Sequence, residues 1–401
     1  QSFAPSEVVI QRQNRAKFIE LMGDKFYLSF FDDWVFSIDF ATELLLKHFN
    51  TTSLKGFGVD GINNGIIAAG AALHYLFETH HEKLSHINKL SRIDEGKFVW
   101  LDKFTIRNLE LIQPLSSGAN TLLEIVDKTD SPMGARLMRR WISLPLKDIS
   151  SINERLNIVE FLIKNESIGS TLHKEIKKIG DLERLISKVV THRVNPRELR
   201  QLQRALMSIN ELRDICKNSG EPELVKVAEK LNPCTSLSNK PKTQLKEEPS
   251  TLVNKGNVIA EGVSSELDEL RAISTSGKDY LKEIQQREIE QTGISSLKVG
   301  FNNVFGYYLE VTHTHKDKVP PEWHRKQTLT GSERYITEEL KEYEQKILTA
   351  EEKIIAIEQQ IFEEIVHHSA EFVIPIQLNA SLVAIIDCLG SFAKISVENN
   401  Y

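Results

Sequence analysis

Residues 295–337 read SSLKVGFNNVFGYYLEVTHTHKDKVPPEWHRKQTLTGSERYIT, a short β pattern set between two long, charged, helix-forming segments. Leu297, Val299 and Phe301 alternate onto one face of a strand, and Tyr307, Leu309 and Val311 repeat the pattern. Between them, Asn302-Asn303 tolerates the positive φ of a two-residue hairpin turn. Gly306 beside Tyr307 marks a bulge or a close backbone approach. A return strand is expected around Thr328 to Ile336.

Behind this β structure, Leu340, Ile347, Ile354 and Ile361 recur every seven residues, with Tyr343, Ala350 and Ile357 three positions after the first three. Residues 338–372 therefore read as a coiled-coil-grade helix, roughly 50 Å long at about 1.5 Å per residue. Ahead of it, Leu267, Leu270, Ile273, Leu281, Ile284 and Ile289 mark a second amphipathic helix. Ser274, Thr275, Ser276 and Gly277 weaken its middle, since all four are poor helix-interior residues. Two such helices around a hairpin pack most simply antiparallel. Either they form a lever that carries a gripping β tip, or they form a structural coiled coil whose tip binds protein.

The chain has 401 residues and a formal charge of −6, with a pI near 6.1, which argues against coating nucleic acid over the whole surface. The charge is unevenly placed. Residues 338–372 hold ten Glu against three Lys, whereas residues 312–332 hold Lys316, Lys318, Arg325 and Lys326 against Asp317 and Glu322. An acidic lever with a basic tip focuses anions at its end. Lys298, Arg325, Lys326 and Arg334, with the amides and hydroxyls of Asn302, Asn303, Gln327 and Thr328, supply donors of the kind that contact phosphate oxygens. Such contacts hold a duplex without reading its sequence; the bland alternative is a set of solvated charges on a hairpin.

The strings FNNVFGYYLEV, RKQTL and SERYITEELKEYE, with SSELDELR upstream, resemble the clamp and lever segments of the MutS family of DNA mismatch repair proteins. The likeness extends to LDKFTIRNLEL, ANTLLEIVDKTDSPMGARLMRRWISLPL, INERLNIVEFL and SLVAIIDCLGSFAK, covering most of the chain after residue 93 and, more loosely, the part before it. The resemblance implies a mixed, mainly α fold. Residues 1–114 would form an α/β, RNase H-like connector, 115–264 a helical core, 265–294 and 338–372 the lever helices, 295–337 the β clamp tip, and 373–401 the last part of the core. It also implies that the clamp contacts duplex backbone while another domain reads the mismatch. Carried onto this chain, the contacts rest first on Asn302 and Lys326, then on Arg325, Gln327 and Thr328. Family members often carry a Lys-Asn pair where this chain has Thr330-Gly331.

Upstream, apolar runs at residues 8–10 and 26–31 and helical stretches near 40–49 and 64–80 read as α/β. Asp32-Asp33 reads as a turn between strand runs 27–31 and 34–38. Gly65, Ala68, Ala69, Gly70, Ala71 and Ala72 suit close approach of a helix to a sheet. Ser131-Pro132 is a helix start, with Ser as N-cap. Arg136, Arg139 and Arg140 share a face suited to solvent or inter-helix ion pairs. Residues 196–215 read as an amphipathic core helix, and residues 232–257, rich in Pro, Ser, Asn and Lys, as a linker.

A metal nuclease on an RNase H-like fold needs convergent carboxylates; Asp24, Asp32, Asp33, Asp39, Asp60 and Asp94 show no diagnostic spacing. His80-His81 with His86, His313 with His315, and His367-His368 lack further ligands at metal spacing. Cys216, Cys234 and Cys388 are isolated thiols, which suits a reducing cytoplasm. No run approaches eighteen apolar residues, so no membrane-spanning helix and no membrane partner are expected. There is no Gly-rich phosphate loop ending in Gly-Lys-Ser/Thr. The resemblance therefore implies an internal fragment with no catalysis or cofactor of its own. ATP and Mg would belong to an ATPase domain beyond the helix at residues 381–397. A second MutS subunit and a MutL-type protein would be partners of the full-length protein. A MutS relative devoted to branched or recombination DNA is the alternative within the family.

Overall fold

The computed structural model describes residues 5–59, 61–79, 84–93, 96–116, 118–237, 244–302, 304 and 306–401, apart from the side chains of 277 and 278. Asp60, Asp94, His80, His81 and Asn303 thus lie outside the described residues. The chain divides into two compact units: Gln1–Val194 with Gln201–Asn239 and Val366–Tyr401, and Asn195–Arg200 with Lys240–Ile365. The helices described throughout are α1 (Arg15–Met22), α2 (Ile38–His48), α3 (Asn63–Glu78), α4 (Lys103–Asn108), α5 (Leu122–Val126), α6 (Pro132–Ser143) and α7 (Ile149–Lys164). They continue as α8 (Glu166–Ile179), α9 (Leu182–Val190), α10 (Pro196–Lys217), α11 (Pro222–Lys230), α12 (Ser265–Thr292), α13 (Glu338–Ala370) and α14 (Val373–Asn399). Among the described residues the fold is mainly helical with two small sheets.

The first unit opens with a parallel pair, β1 (Glu7–Gln11) and β2 (Tyr27–Phe31), in which Glu7 stands opposite Tyr27. Residues 34–38 are not a strand. Asp33–Phe36 is a 3-10 turn that buries Val35, and the Ser37 hydroxyl accepts from the Phe40 amide to start α2. Gly70 of α3 serves a helix rather than a sheet. A Cβ on Gly70 would stand 2.5 Å from the Ala41 Cβ on α2, so the two helices close over Ala41, Leu45, Ile66 and Leu73.

The helical part of this unit is organised on α14, which packs on α6, α7, α8 and α9. By length and composition alone α14 could cross a membrane, with a mean hydropathy of 1.7 in its most apolar window. That window is 61% buried inside the protein, because its apolar residues, among them Ile376, Ala380, Val383, Ile386 and Leu389, form the core. Ser131 caps α6 as expected, accepting from the Gly134 amide at 3.0 Å. Buried Asp387 on α14 in turn accepts from the Asp130 amide at 2.9 Å and from the Ser131 amide and hydroxyl at 2.8 and 2.6 Å. Burial pushes the Asp387 carboxyl up from its ordinary value against these bonds. Arg136 joins α6 to Asp181 and Glu183 at 2.8 and 2.6 Å, an inter-helix ion pair. On α10, Leu199, Leu202, Leu206 and Ile209 are buried.

In the second unit α12 and α13 run antiparallel: Arg271 meets Glu358, Tyr280 stacks on Tyr343, and Arg287 meets Glu339. Ser274–Gly277 do not interrupt α12, which is continuous over 28 residues. Packing overrides their weak propensity. The heptad stripe holds at Leu340, Ile347 and Ala350, then shifts to Glu358, Phe362 and Ile365. The expected linker is partly structured too. Leu245 bridges Ile259, the Lys246 amide donates to the Val258 carbonyl at 3.0 Å, and Leu245, Val258 and Ile259 are buried. Leu245 docks it against Val258 and Ile259, just beyond its expected end, and a single apolar residue sets no period.

Between the helices, β3 (Lys298–Asn302), β4 (Gly306–Thr312), β5 (His324–Thr328) and β6 (Ser332–Ile336) form an antiparallel sheet in the order β3-β4-β6-β5. The single return strand expected at 328–336 is thus a hairpin of two. Leu309, Val311 and Tyr335 face inward onto Leu281, Ile284, Leu340 and Ile347. Phe301, by contrast, is 47% exposed. Asn302 pairs with Gly306, so the β3–β4 turn is wider than the two residues Asn302-Asn303. Among its described residues the positive φ falls on Gly306, at 82°.

Candidate nucleic-acid interface

The strand order separates the expected donors. Lys298 lies on β3 and Arg325 and Lys326 on β5, the two outer strands, with β4 and β6 between; at about 4.8 Å per step these edges stand roughly 14 Å apart. Lys298 and Lys326 are exposed and without an ion pair among the described residues. Asn302 and Lys326 come together along a cleft of about 390 Å³ that also exposes Lys341 and Glu344 of α13. The Asn302 side chain accepts from the Val304 amide at 2.8 Å.

Two expected donors are already engaged. The Arg334 side chain, 18% exposed, donates to Glu310 at 2.9 Å and to Gln327 at 2.9 Å. Its guanidinium also lies 4.3 Å from the Tyr308 ring centroid, and Gly300 leaves the space the Tyr308 ring fills. Arg334 and Gln327 therefore hold the outer face of the sheet together. Arg325 lies on the opposite face, 3.3 Å from Glu333 and still half exposed. Register explains the division, since Arg334 stands directly across from Glu310.

Glu333 is a buried carboxylate, bonded by the Tyr335 hydroxyl and approached by Lys316 at 3.4 Å as well as by Arg325. The Tyr335 hydrogen bond foremost, then Lys316 and Arg325, hold its carboxyl below the usual range. Burial and the Glu333 bond push the Tyr335 phenol up to about 12. Glu344 holds the other end of the sheet, where its carboxylate accepts from the Tyr307 amide at 3.1 Å. A Cβ on Gly306 would fall 1.9 Å from the Glu344 Oε1. The close backbone approach expected at Gly306 is thus an approach to α13.

Thr328 is exposed at the end of β5. Thr330 and Gly331 follow in the β5–β6 turn, which the Leu329 amide closes on the Ser332 carbonyl at 2.8 Å. The His313 ring lies 3.0 Å from the Leu329 carbonyl, tying the Thr312–Lys318 segment to that turn. Sequence reasoning counted Lys316 in the basic tip without placing it among the donors, and missed Lys341 and the carboxylates Glu310, Glu333 and Glu344. Only the alternation along β6 hinted at Glu333, because it shares the inward face with Tyr335.

Residues 1–88 match the family model of MutS domain II and residues 104–393 that of MutS domain III. The chain is 52% identical over 400 residues to the DNA mismatch repair protein MutS of Parabacteroides distasonis, covering all of this chain and 46% of that protein. It is 54% identical over 401 residues to that of Cytophaga hutchinsonii, with 47% of that protein covered. The chain thus spans about half the length of the curated relatives it matches. With domain models laid end to end over nearly its whole length, the chain belongs to the MutS family.

Proposed function

We propose that this chain is the part of a mismatch repair protein that grips duplex DNA by its backbone and joins that grip to the rest of the protein. The supporting observation is the sheet between α12 and α13, with exposed Lys298, Lys326 and Arg325 at the end of an acidic lever. Residues 1–114 act as the connector, 115–264 and 373–401 as the core, and 295–337 as the clamp. In the whole protein, mismatch reading and ATP-driven conversion to a sliding clamp lie in other domains, and a second MutS subunit and a MutL-type protein are its partners. The 401 residues hold no phosphate loop, so no residue here is assigned to ATP or Mg and no catalytic step to this chain.

Fluorescence anisotropy with a homoduplex at two ionic strengths tests the proposal. Binding is expected to be weak, indifferent to sequence and salt-sensitive, because phosphate contacts release counterions. Salt-independent affinity, or affinity that survives Lys298→Gln, Arg325→Gln and Lys326→Gln together, overturns it and leaves the tip as a protein-binding end.

A further inference from the structure

We infer that Lys316 and Arg325 form a two-pronged phosphodiester contact, and that buried Glu333 is the positioning residue that spreads them. The inference rests on the DNA-gripping reading and deepens it by adding a contact point on the inward side of β5.

Three elements meet there. Glu333 comes from β6, Arg325 from β5 across the pair, and Lys316 from the 3-10 turn His313–Lys318. The Glu333 side chain is 4% exposed, whereas those of Lys316 and Arg325 are each 54% exposed. The anchor is thus inside and the two cationic ends reach solvent. The three side chains sum to a net charge of +1, so the cluster still attracts an anion. Long cationic side chains lose rotamer freedom on contacting phosphate, and a fixed buried carboxylate removes part of that loss beforehand. Tyr335, bonded to the same carboxylate, keeps it from turning outward. Arg334 has no such role, since both its contacts and its stacking turn it along the sheet.

The test uses the 401-residue chain and a fluorescent homoduplex, with Kd measured across ionic strength. Lys316→Gln is expected to weaken binding about three- to ten-fold at low salt and to reduce the salt slope by about one. Glu333→Gln keeps an acceptor for Tyr335 but makes the tip one charge more positive. Charge alone then demands tighter binding, whereas loss of positioning demands weaker binding, expected at two- to five-fold. In the Lys316→Gln background the Glu333→Gln effect should shrink, because the two act as one unit. Thermal unfolding of each variant separates these effects from a collapsed tip. Glu333→Gln binding more tightly, or Lys316→Gln binding as wild type while Lys326→Gln weakens, overturns this inference and leaves the proposed function standing. Salt-independent binding by wild type overturns the function itself.

Discussion

The Arg271 Nη2 lies 2.5 Å from Oε1 of Glu358, a carboxylate with no exposed surface. Its other oxygen accepts from the Val258 amide at 3.0 Å, while Arg271 also donates to the Ile259 carbonyl at 2.7 Å. One buried charge therefore ties α12, α13 and the 244–260 segment together. Removing a single partner strands the other in the interior, which costs about 3 kcal/mol or more. Arg271→Ala should lower the stability of the second unit by about 3 kcal/mol in a denaturant titration, and Arg271→Lys should recover only part because it cannot reproduce the fork.

At the opposite end, Gly306 and Glu344 share one volume. Gly306→Ala faces both a positive φ of 82° and the Glu344 carboxylate, so a loss of about 2 kcal/mol is expected. Glu344→Ala vacates the space, and the double variant should lose less than the two single losses added. Thermal unfolding of the four proteins reads this directly; simple additivity would show that Glu344 does not press on the hairpin.

The pH dependence has a defined sign at the lever junction. Arg287 first, then the Tyr280 hydroxyl, hold the Glu339 carboxyl below its ordinary value near 4.5. A depressed folded value means the contribution is present above the ordinary value and disappears as pH falls through the folded one. Glu339 is partly exposed, so at most about 1 kcal/mol is at stake. Glu339→Gln should therefore be less stable than wild type at pH 7 and indistinguishable from it well into acid, as monitored by melting temperature.

Arg334 and Lys326 should part company when each is replaced by Ala. Arg334→Ala breaks two hydrogen bonds and a stacked contact and should lower stability by about 1–2 kcal/mol, with the salt slope of duplex binding unchanged. Lys326→Ala should leave the melting temperature in place and flatten the slope by about one.

Much of the molecule was legible in the residues. The alternation around Leu297–Val311 announced strands, the seven-residue stripe announced the lever, and Ser131-Pro132 announced the start of α6. These are local signals, set by period and cap chemistry within one element. The strings along the chain also carried the family.

Tertiary structure decided the rest. Whether Arg334 faces phosphate or Glu310 depends on a register between β4 and β6, residues 24 apart in sequence. Whether Gly70 meets a sheet or a helix depends on which neighbour packs there. Nothing in the sequence singles out Asp387 or Glu358; burial made one the anchor of the Ser131 cap of α6 and the other the joint of the lever. By itself the sequence determined the lever helices, the first hairpin, the charge at the tip and the family; the return hairpin and the partner of each charged side chain were set only when distant strands and helices came into contact, because burial and pairing belong to the packed chain.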